Sequence, residues 1–184
     1  MKGLMRSGKL VLSAVFLALI TVGAYVRVPI PVVPFTLQYP MTMLAGLVLG
    51  GELGCAVVAV YIFMGILGLP VFAGGGGFLY VLQPTFGYII GFAIAAYVTG
   101  KIAHKAKSLR FRRLLLADFA GLAVVYAVGM VYCVLISRFY LGSDIEVWSF
   151  LLTCVLIPVP KDILMCILMA QVGRKVLHWA RKVM

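Results

Sequence analysis

The sequence predicts an all-α integral membrane protein with six transmembrane helices, and three observations support this fold class. Of the 184 residues, 64% are hydrophobic and 11% are charged, whereas soluble domains are about 45–50% apolar and about 25% charged. Apolar runs that approach the roughly 20 residues needed to span a bilayer recur along the chain. These runs are mostly uninterrupted and lack the alternation typical of barrel strands.

The cationic residues predict the orientation of the chain. The formal net charge is +11, and 13 of the 16 lysines and arginines fall into three groups. The groups are Lys2, Arg6 and Lys9; Lys101, Lys105, Lys107, Arg110, Arg112 and Arg113; and Arg174, Lys175, Arg181 and Lys182. The positive-inside rule places all three groups and both termini in the cytoplasm. Topology in the cytoplasmic membrane and attraction to lipid head groups explain these charges, so nucleic-acid binding is not expected.

The first half of the chain predicts three helices. Span one covers about 10–28; its apolar run exceeds the 7–15 residues of a cleaved signal, so it is expected to be retained. Prolines end it and predict an extended outer loop at 29–39. Span two, about 40–50, is too short to cross a layer of about 30 Å, so we expect a short helix packed inside the bundle. A turn at Gly50–Glu52 precedes span three, about 53–69.

The second half predicts three more helices in the same membrane domain, which covers 1–184. The order is an outer glycine-rich segment at 70–82, spans four and five at about 83–101 and 114–136, and span six at about 147–173. The motif "IPVPKD" interrupts span six. Six spans leave both termini on the same side, in agreement with the charge pattern.

Two aspartates fall within the spans, where a charge costs about 2.5–3.5 kcal/mol on translocon scales. Asp162 follows two prolines at the break in span six. Broken helices carry the substrate sites of many transporters, although an aspartate there also suits a helix cap. Asp118 lies next to the central cationic group, and an ion pair with Arg112 or Arg113 is the favoured role.

Polar and aromatic residues in the two outer segments predict a binding pocket. An aromatic-lined cavity with few polar groups is the usual make-up of a small-molecule site. Four consecutive glycines, residues 74–77, permit positive φ angles or close approach to a ligand, and their N–H groups suit an anion. The substrate-binding candidates are Phe35, Thr36, Gln38, Phe72, Gly75, Gly76, Gln83, Tyr88 and Asp162.

The sequence favours transport over catalysis. It has no Ser–His–Asp set, no HExxH motif and no GxxxxGK[ST] nucleotide loop. The four cysteines and two histidines lack ligand spacing, so neither a metal site nor a disulfide is expected. Uphill transport would therefore need a partner that supplies energy. Ala14 and Ala18, one turn apart on span one, permit close contact with a partner helix.

Four motifs together resemble the BioY family of biotin transporters. They are "VPFTLQ" (33–38), "LAGLVLGGELG" (44–54), "GLPVFAGGGG" (68–77) and "PTFGYIIGF" (84–92). The family consists of substrate-binding S components of energy-coupling-factor (ECF) transporters. The resemblance implies an outward-facing biotin pocket, no cofactor, and a partner module of one transmembrane coupling protein and two ATPase subunits that hydrolyse the ATP.

The resemblance also implies roles for individual residues. Ala14 and Ala18 match the family's helix-one motif for the coupling protein. Phe35–Gln38 match the loop that closes over the ligand, and Asp162 matches an acidic residue suited to the ureido N–H groups of biotin. Met165 stands where the family often has lysine, which leaves the partner of the biotin carboxylate open. Other candidates are Lys161, Arg27, Arg138 and the glycine backbone; for Arg27 and Arg138 an interfacial role is favoured.

Three alternatives remain at this point. The first is an S component for another vitamin, or a solitary biotin facilitator. The second is a membrane enzyme acting on lipid or prenyl substrates, which would need paired carboxylates or a histidine cluster at one depth. The third is a structural membrane subunit, which would need neither Asp162 nor the glycines.

Overall fold

The structure, a computed structural model, describes residues 2–28, 35–105, 110–142 and 155–183. Within this part the chain forms six α-helices, one 3-10 helix and a two-stranded antiparallel ribbon. The elements are α1 (Lys2–Tyr25), β1 (Arg27–Val28), β2 (Phe35–Thr36), α2 (Gln38–Leu49), α3 (Gly51–Ile66), the 3-10 helix η1 (Phe78–Leu82), α4 (Phe86–His104), α5 (Phe111–Phe139) and α6 (Val159–Val183). The all-α prediction is confirmed.

Three of the described helices are long and apolar enough to cross a membrane. They are Ser7–Tyr25, Phe86–His104 and Phe111–Phe139, and Gly51–Ile66 is a shorter apolar helix. Helix α1 begins before the predicted span one, and helix α6 continues past the predicted end of span six. Both helices continue into charged residues, because a predicted span ends where the apolar run ends, whereas a helix can continue through polar residues. Insertion and orientation stay predictions.

Helix α2 forms the centre of the bundle. It is about 18 Å long, and it contacts α1, α3, α4, α5 and α6. Ten of its twelve residues are buried, as the sequence predicts for a short internal helix. Pro40 lies in its first turn, where a missing N–H costs no helical hydrogen bond.

The helices α2, α3 and α4 meet with their backbones in close contact at the end of the bundle that carries Lys101. A Cβ atom at Gly46 would lie 2.6 Å from the Ala96 carbonyl oxygen, and one at Gly100 would lie 2.2 Å from the Gly51 nitrogen. Gly50 joins α2 to α3 with a φ of 87°. These glycines let three helices pack without intervening side chains.

The glycine-rich segment is a packed turn. Phe72 and Gly75 exchange backbone hydrogen bonds of 2.9 and 3.0 Å, and the Gly77 N–H donates to the Gly65 carbonyl at 2.7 Å. Gly75 and Gly77 have φ angles of 113° and 112°, which favour glycine. The bare backbone therefore folds the segment 70–82 tightly onto the end of α3.

Two predicted regions lie partly outside the described residues. The first is the outer loop 29–39, of which β2 and the first residues of α2 are described. The second is span six, whose residues 147–154 lie outside, as do Asp144 and Glu146. Residues 155–158 form a wide turn, and α6 then begins at Val159, with Pro160 in its first turn.

Candidate binding site

A small cavity lies at the outer end of the bundle, which is defined here as the end that carries the segment 70–82. Its volume is about 60 Å³, and it lies between β2, the start of α2, the glycine-rich segment and α4. The lining residues are Thr36, Gln38, Ala73, Tyr80, Thr85, Tyr88, Ile89 and Phe92. The structure thus brings together three of the predicted site residues, Thr36, Gln38 and Tyr88.

Gln38 carries an unsatisfied polar group beside this cavity. Its side chain is 3% exposed, and its Nε2 has no hydrogen-bond partner in the part of the chain that the structure describes. An unmade hydrogen bond of this kind costs about 1–3 kcal/mol. The amide is therefore a donor available to an acceptor in the cavity.

The end of α1 is tied to the outer wall of the cavity. Arg27 Nη1 donates to the Ala73 carbonyl oxygen at 2.5 Å, and the Tyr25 hydroxyl donates to the Pro70 carbonyl oxygen. Arg27 thus contacts the glycine-rich segment, in addition to the interfacial role favoured for it. This contact places its positive charge beside Ala73, which lines the cavity.

Asp162 lies in the first turn of α6 and is 7% exposed. Its Oδ2 accepts a hydrogen bond of 2.6 Å from the Tyr126 hydroxyl. The Lys161 ammonium lies 2.7 Å from Oδ1 as a charge contact. The bond from Tyr126 of α5 thus joins the Asp162 carboxylate of α6 to the neighbouring helix.

Two aromatic rings separate Asp162 from the cavity. The Tyr126 ring packs edge-on against Tyr88, with ring centroids 6.2 Å apart, and Tyr88 lines the cavity. The Tyr39 hydroxyl of α2 lies 3.3 Å from Cys166 Sγ of α6. Asp162 is therefore close to the cavity wall without forming part of it.

The ion pair predicted for Asp118 is wrong. Asp118 is fully buried, and neither carboxylate oxygen has a hydrogen-bond partner among the described residues. Arg113 Nε instead donates to the Ile102 carbonyl oxygen at 2.8 Å. The reason is helical spacing: Asp118 lies on the buried face of α5 with Gly121 and Leu122, whereas Arg112 is exposed on another face.

The other predicted site residues lie around the described cavity rather than in its lining. Phe72 is fully buried, with its ring 5.4 Å from Tyr61 and 4.7 Å from Tyr80.

Gln83 is exposed just after η1. Gly75 and Gly76 belong to the packed turn, where the Gly75 and Gly77 N–H groups are already bonded. Phe35 contributes backbone to β2, and its side chain lies outside the description. Their binding roles stay predictions.

Sequence reasoning missed several residues that shape the site. The lining residues Tyr88, Ile89 and Phe92 follow a spacing typical of one helix face, and this pattern could have identified Phe92. Tyr126 has no comparable local signal, since its contact with Asp162 depends on the packing of α5 against α6.

Helix α1 presents the predicted partner surface. Ala14 and Ala18 are exposed. Exposed large apolar residues flank them, namely Val11, Val15, Leu19 and Val22. Small residues on such a face let a second helix approach closely.

Comparisons with known proteins agree with one another. The sequence matches the BioY family over residues 1–182. It is 46% identical over 140 residues to a probable biotin transporter BioY of Lysinibacillus sphaericus, covering 76% of this chain and 71% of that protein. It is 42% identical over 123 residues to the biotin transporter BioY of Thermotoga maritima, covering 66% and 72%. The fold matches the crystal structure of the S component for biotin from an ECF-type ABC transporter, with a TM-score of 0.79, 27% identity, and coverage of 93% and 91%.

Proposed function

The chain belongs to the BioY family, and on this premise we propose that it captures biotin for uptake as the S component of an ECF transporter. The observation that carries the proposal is the fold match to a biotin S component over 93% of the chain. The relatives named as biotin transporters support the same substrate. The chain itself is a transport subunit and not an enzyme.

The cavity at the outer end suits the chemistry of biotin. Tyr80, Tyr88 and Phe92 provide flat apolar walls for the thiolane ring and the valeryl chain. The free Gln38 amide donates to a biotin oxygen, and the Asp162 carboxylate accepts from the ureido N–H groups. Asp162 reaches the ligand when the Tyr88 and Tyr126 rings move apart, because these rings now separate it from the cavity.

Binding requires the site to widen. The described cavity of about 60 Å³ is far smaller than the roughly 300–1,000 Å³ of typical ligand pockets. The segment 70–82 is the proposed movable wall, and its movement must break the hydrogen bonds that hold it. These are the bonds that its carbonyl oxygens accept from the side chains of Tyr25, Arg27, Tyr61 and Tyr132, and that of Gly77 with Gly65. Closure over biotin must then come from contacts that the ligand makes only in the closed state.

Arg27 is our candidate partner for the biotin carboxylate. Its guanidinium already reaches Ala73 in the cavity wall, and an arginine fork matches a carboxylate in geometry and charge. Lys161, the other nearby candidate, is engaged by Asp162. An arginine at the cavity entrance would compensate for Met165, which replaces the lysine common in the family.

Energy for uptake comes from a partner module. The composition expected from the family is one transmembrane coupling protein and two ATPase subunits. We place the coupling protein on the α1 face that carries Ala14 and Ala18. The chain lies in the cytoplasmic membrane with both termini and the three cationic groups inside.

Equilibrium binding of biotin to the purified chain in lipid nanodiscs tests this function. We expect biotin to bind and riboflavin and thiamine to fail as competitors. Asp162→Asn should weaken binding about 10–100-fold, since hydrogen bonds to a charged group are worth about 1.5–3 kcal/mol. Glu52→Gln, an exposed acid at the opposite end, should bind like the wild type.

Two results would change the proposal. Absence of biotin binding by correctly folded wild type would overturn the substrate and leave another vitamin. Equal, tight binding by wild type and Asp162→Asn would keep biotin but remove Asp162 from the site.

A further inference from the structure

A second and larger cleft lies at the end of the bundle assigned to the cytoplasm. It has a volume of about 800 Å³ and lies between the start of α5 and the C-terminal half of α6. The lining residues are Arg110, Phe111, Gln171, Arg174, Lys175 and His178. Three of these six carry a permanent positive charge, and none of the described lining residues is acidic.

One face of α6 changes from apolar to basic as it enters this cleft. Leu164, Leu168, Gln171, Lys175 and His178 follow one another at intervals of four and three residues, so they share one face of the helix. Leu164 and Leu168 are 54% and 40% exposed. The opposite face, with Cys166 and Ala170, is buried in the bundle. The exposed face is thus apolar at Leu164 and cationic at Lys175, about 16 Å further along the helix.

The positive charge of the cleft is not neutralised within the described part of the chain. Three acidic residues lie in the described part of the chain, all outside the cleft. Glu52 pairs with Lys101, Asp162 contacts Lys161, and Asp118 is buried inside the bundle. Arg110 precedes the first turn of α5, where no side chain caps the helix and the helix dipole adds partial positive charge. Cations held together without counter-charge attract an anion.

We propose that this cleft binds the phosphate group of an anionic phospholipid. Arg110 and Arg174 hold the phosphate oxygens from two helices, because arginine presents paired donors that match a phosphate. Lys175 adds positive charge, and the His178 ring offers a further hydrogen-bonding group in the same cleft. An acyl chain lies along Leu164 and Leu168, which a free phosphate ion would leave uncovered. The site is separate from the biotin cavity and independent of the substrate.

Native mass spectrometry of the purified full-length chain tests the site. The probes are dioleoylphosphatidylglycerol, dioleoylphosphatidylcholine and the water-soluble head-group analogue glycerol 1-phosphate. We expect the wild type to retain phosphatidylglycerol in preference to phosphatidylcholine. The double variant R174Q/K175Q should lose affinity for it by about fivefold for each cation removed.

A matched control separates the cleft from general surface charge. K101Q/K105Q removes the same charge from the same end of the bundle but outside the cleft, so it should retain phosphatidylglycerol. Leu168→Gln should weaken lipid binding and leave glycerol 1-phosphate unaffected. Unchanged biotin binding by R174Q/K175Q would show that the variant is folded.

Three outcomes would overturn the proposal. Equal losses in both double variants would mean non-specific attraction to a basic surface. Glycerol 1-phosphate binding as tightly as the lipid would mean a site for free phosphate compounds. Unchanged lipid retention by R174Q/K175Q, together with weaker assembly with the energising module, would mean that the cleft contacts a protein.

Discussion

Asp162 and Asp118 lie on the contacting helices α6 and α5 and are both buried, yet their surroundings differ. The Asp162 carboxylate receives a hydrogen bond from Tyr126 and a charge contact from Lys161. Neither oxygen of Asp118 has a hydrogen-bond partner among the described residues. A buried acid in a membrane bundle therefore need not be a binding group, and its partners and its distance from a cavity decide its role.

The difference has an energetic basis. An ion removed from water without a partner carries an effective penalty of several kcal/mol, so we expect Asp118 to be a neutral acid. The ammonium and hydroxyl groups around Asp162 stabilise a carboxylate. Asp162 is thus prepared to accept hydrogen bonds from a ligand, whereas Asp118 is a polar position inside the packing.

The largest expected effect comes from replacing each aspartate by asparagine. Asp162→Asn should lower the free energy of unfolding by about 2 kcal/mol, because it weakens charge-assisted contacts. Asp118→Asn should change it by less than about 1 kcal/mol, because a neutral amide replaces a neutral acid of similar shape. Reversible denaturant unfolding in detergent measures both. An equal loss in the two variants would mean that Asp118 is charged and partnered.

A smaller effect is expected from the two tyrosines that contact this region. Tyr126→Phe removes the 2.6 Å bond to Asp162 and should cost about 1–1.5 kcal/mol. Tyr39→Phe removes only contacts of 3.3 and 3.4 Å to Cys166 and to the Asp118 backbone, so it should cost about half as much. The same unfolding assay tests this order, which a larger loss for Tyr39→Phe would contradict.

The smallest expected effect concerns two lysine–acid pairs. In the Lys161–Asp162 pair the side chains are 24% and 10% exposed, whereas in the Lys101–Glu52 pair they are 50% and 82% exposed. Lys161→Gln should cost about 0.5–1 kcal/mol even at high salt, and Lys101→Gln less than about 0.5 kcal/mol, because exposed pairs are screened. Unfolding at low and high ionic strength measures this difference. Equal, salt-sensitive losses would show that burial does not protect the Lys161 pair.

The features that the sequence predicts well are local ones. The length of each apolar run indicates a helix, and the brevity of span two correctly indicates the internal helix α2. The consecutive glycines predict positive φ angles, which Gly75 and Gly77 adopt. Each of these depends on residues close together in the chain, so composition and spacing are sufficient.

The features that depend on lateral packing of helices are less predictable. Asp118 and Arg113 are near each other in sequence but point in different directions, so proximity predicted the wrong ion pair. Tyr126 and Asp162 are 36 positions apart, and their bond follows only from the packing of α5 against α6. For the same reason, the sequence could not show whether the Phe72 side chain packs among other aromatic rings or lines the pocket.

The short helix α2 has a consequence for biosynthesis. Under the proposed membrane insertion, its twelve residues are too few to span the bilayer alone, so we expect α2 to leave the translocon together with α3 as one hairpin joined at Gly50. Its cover includes α4, α5 and α6, all of which are synthesised later. The surroundings of α2 at the centre of the bundle are thus completed last, once α6 has been synthesised.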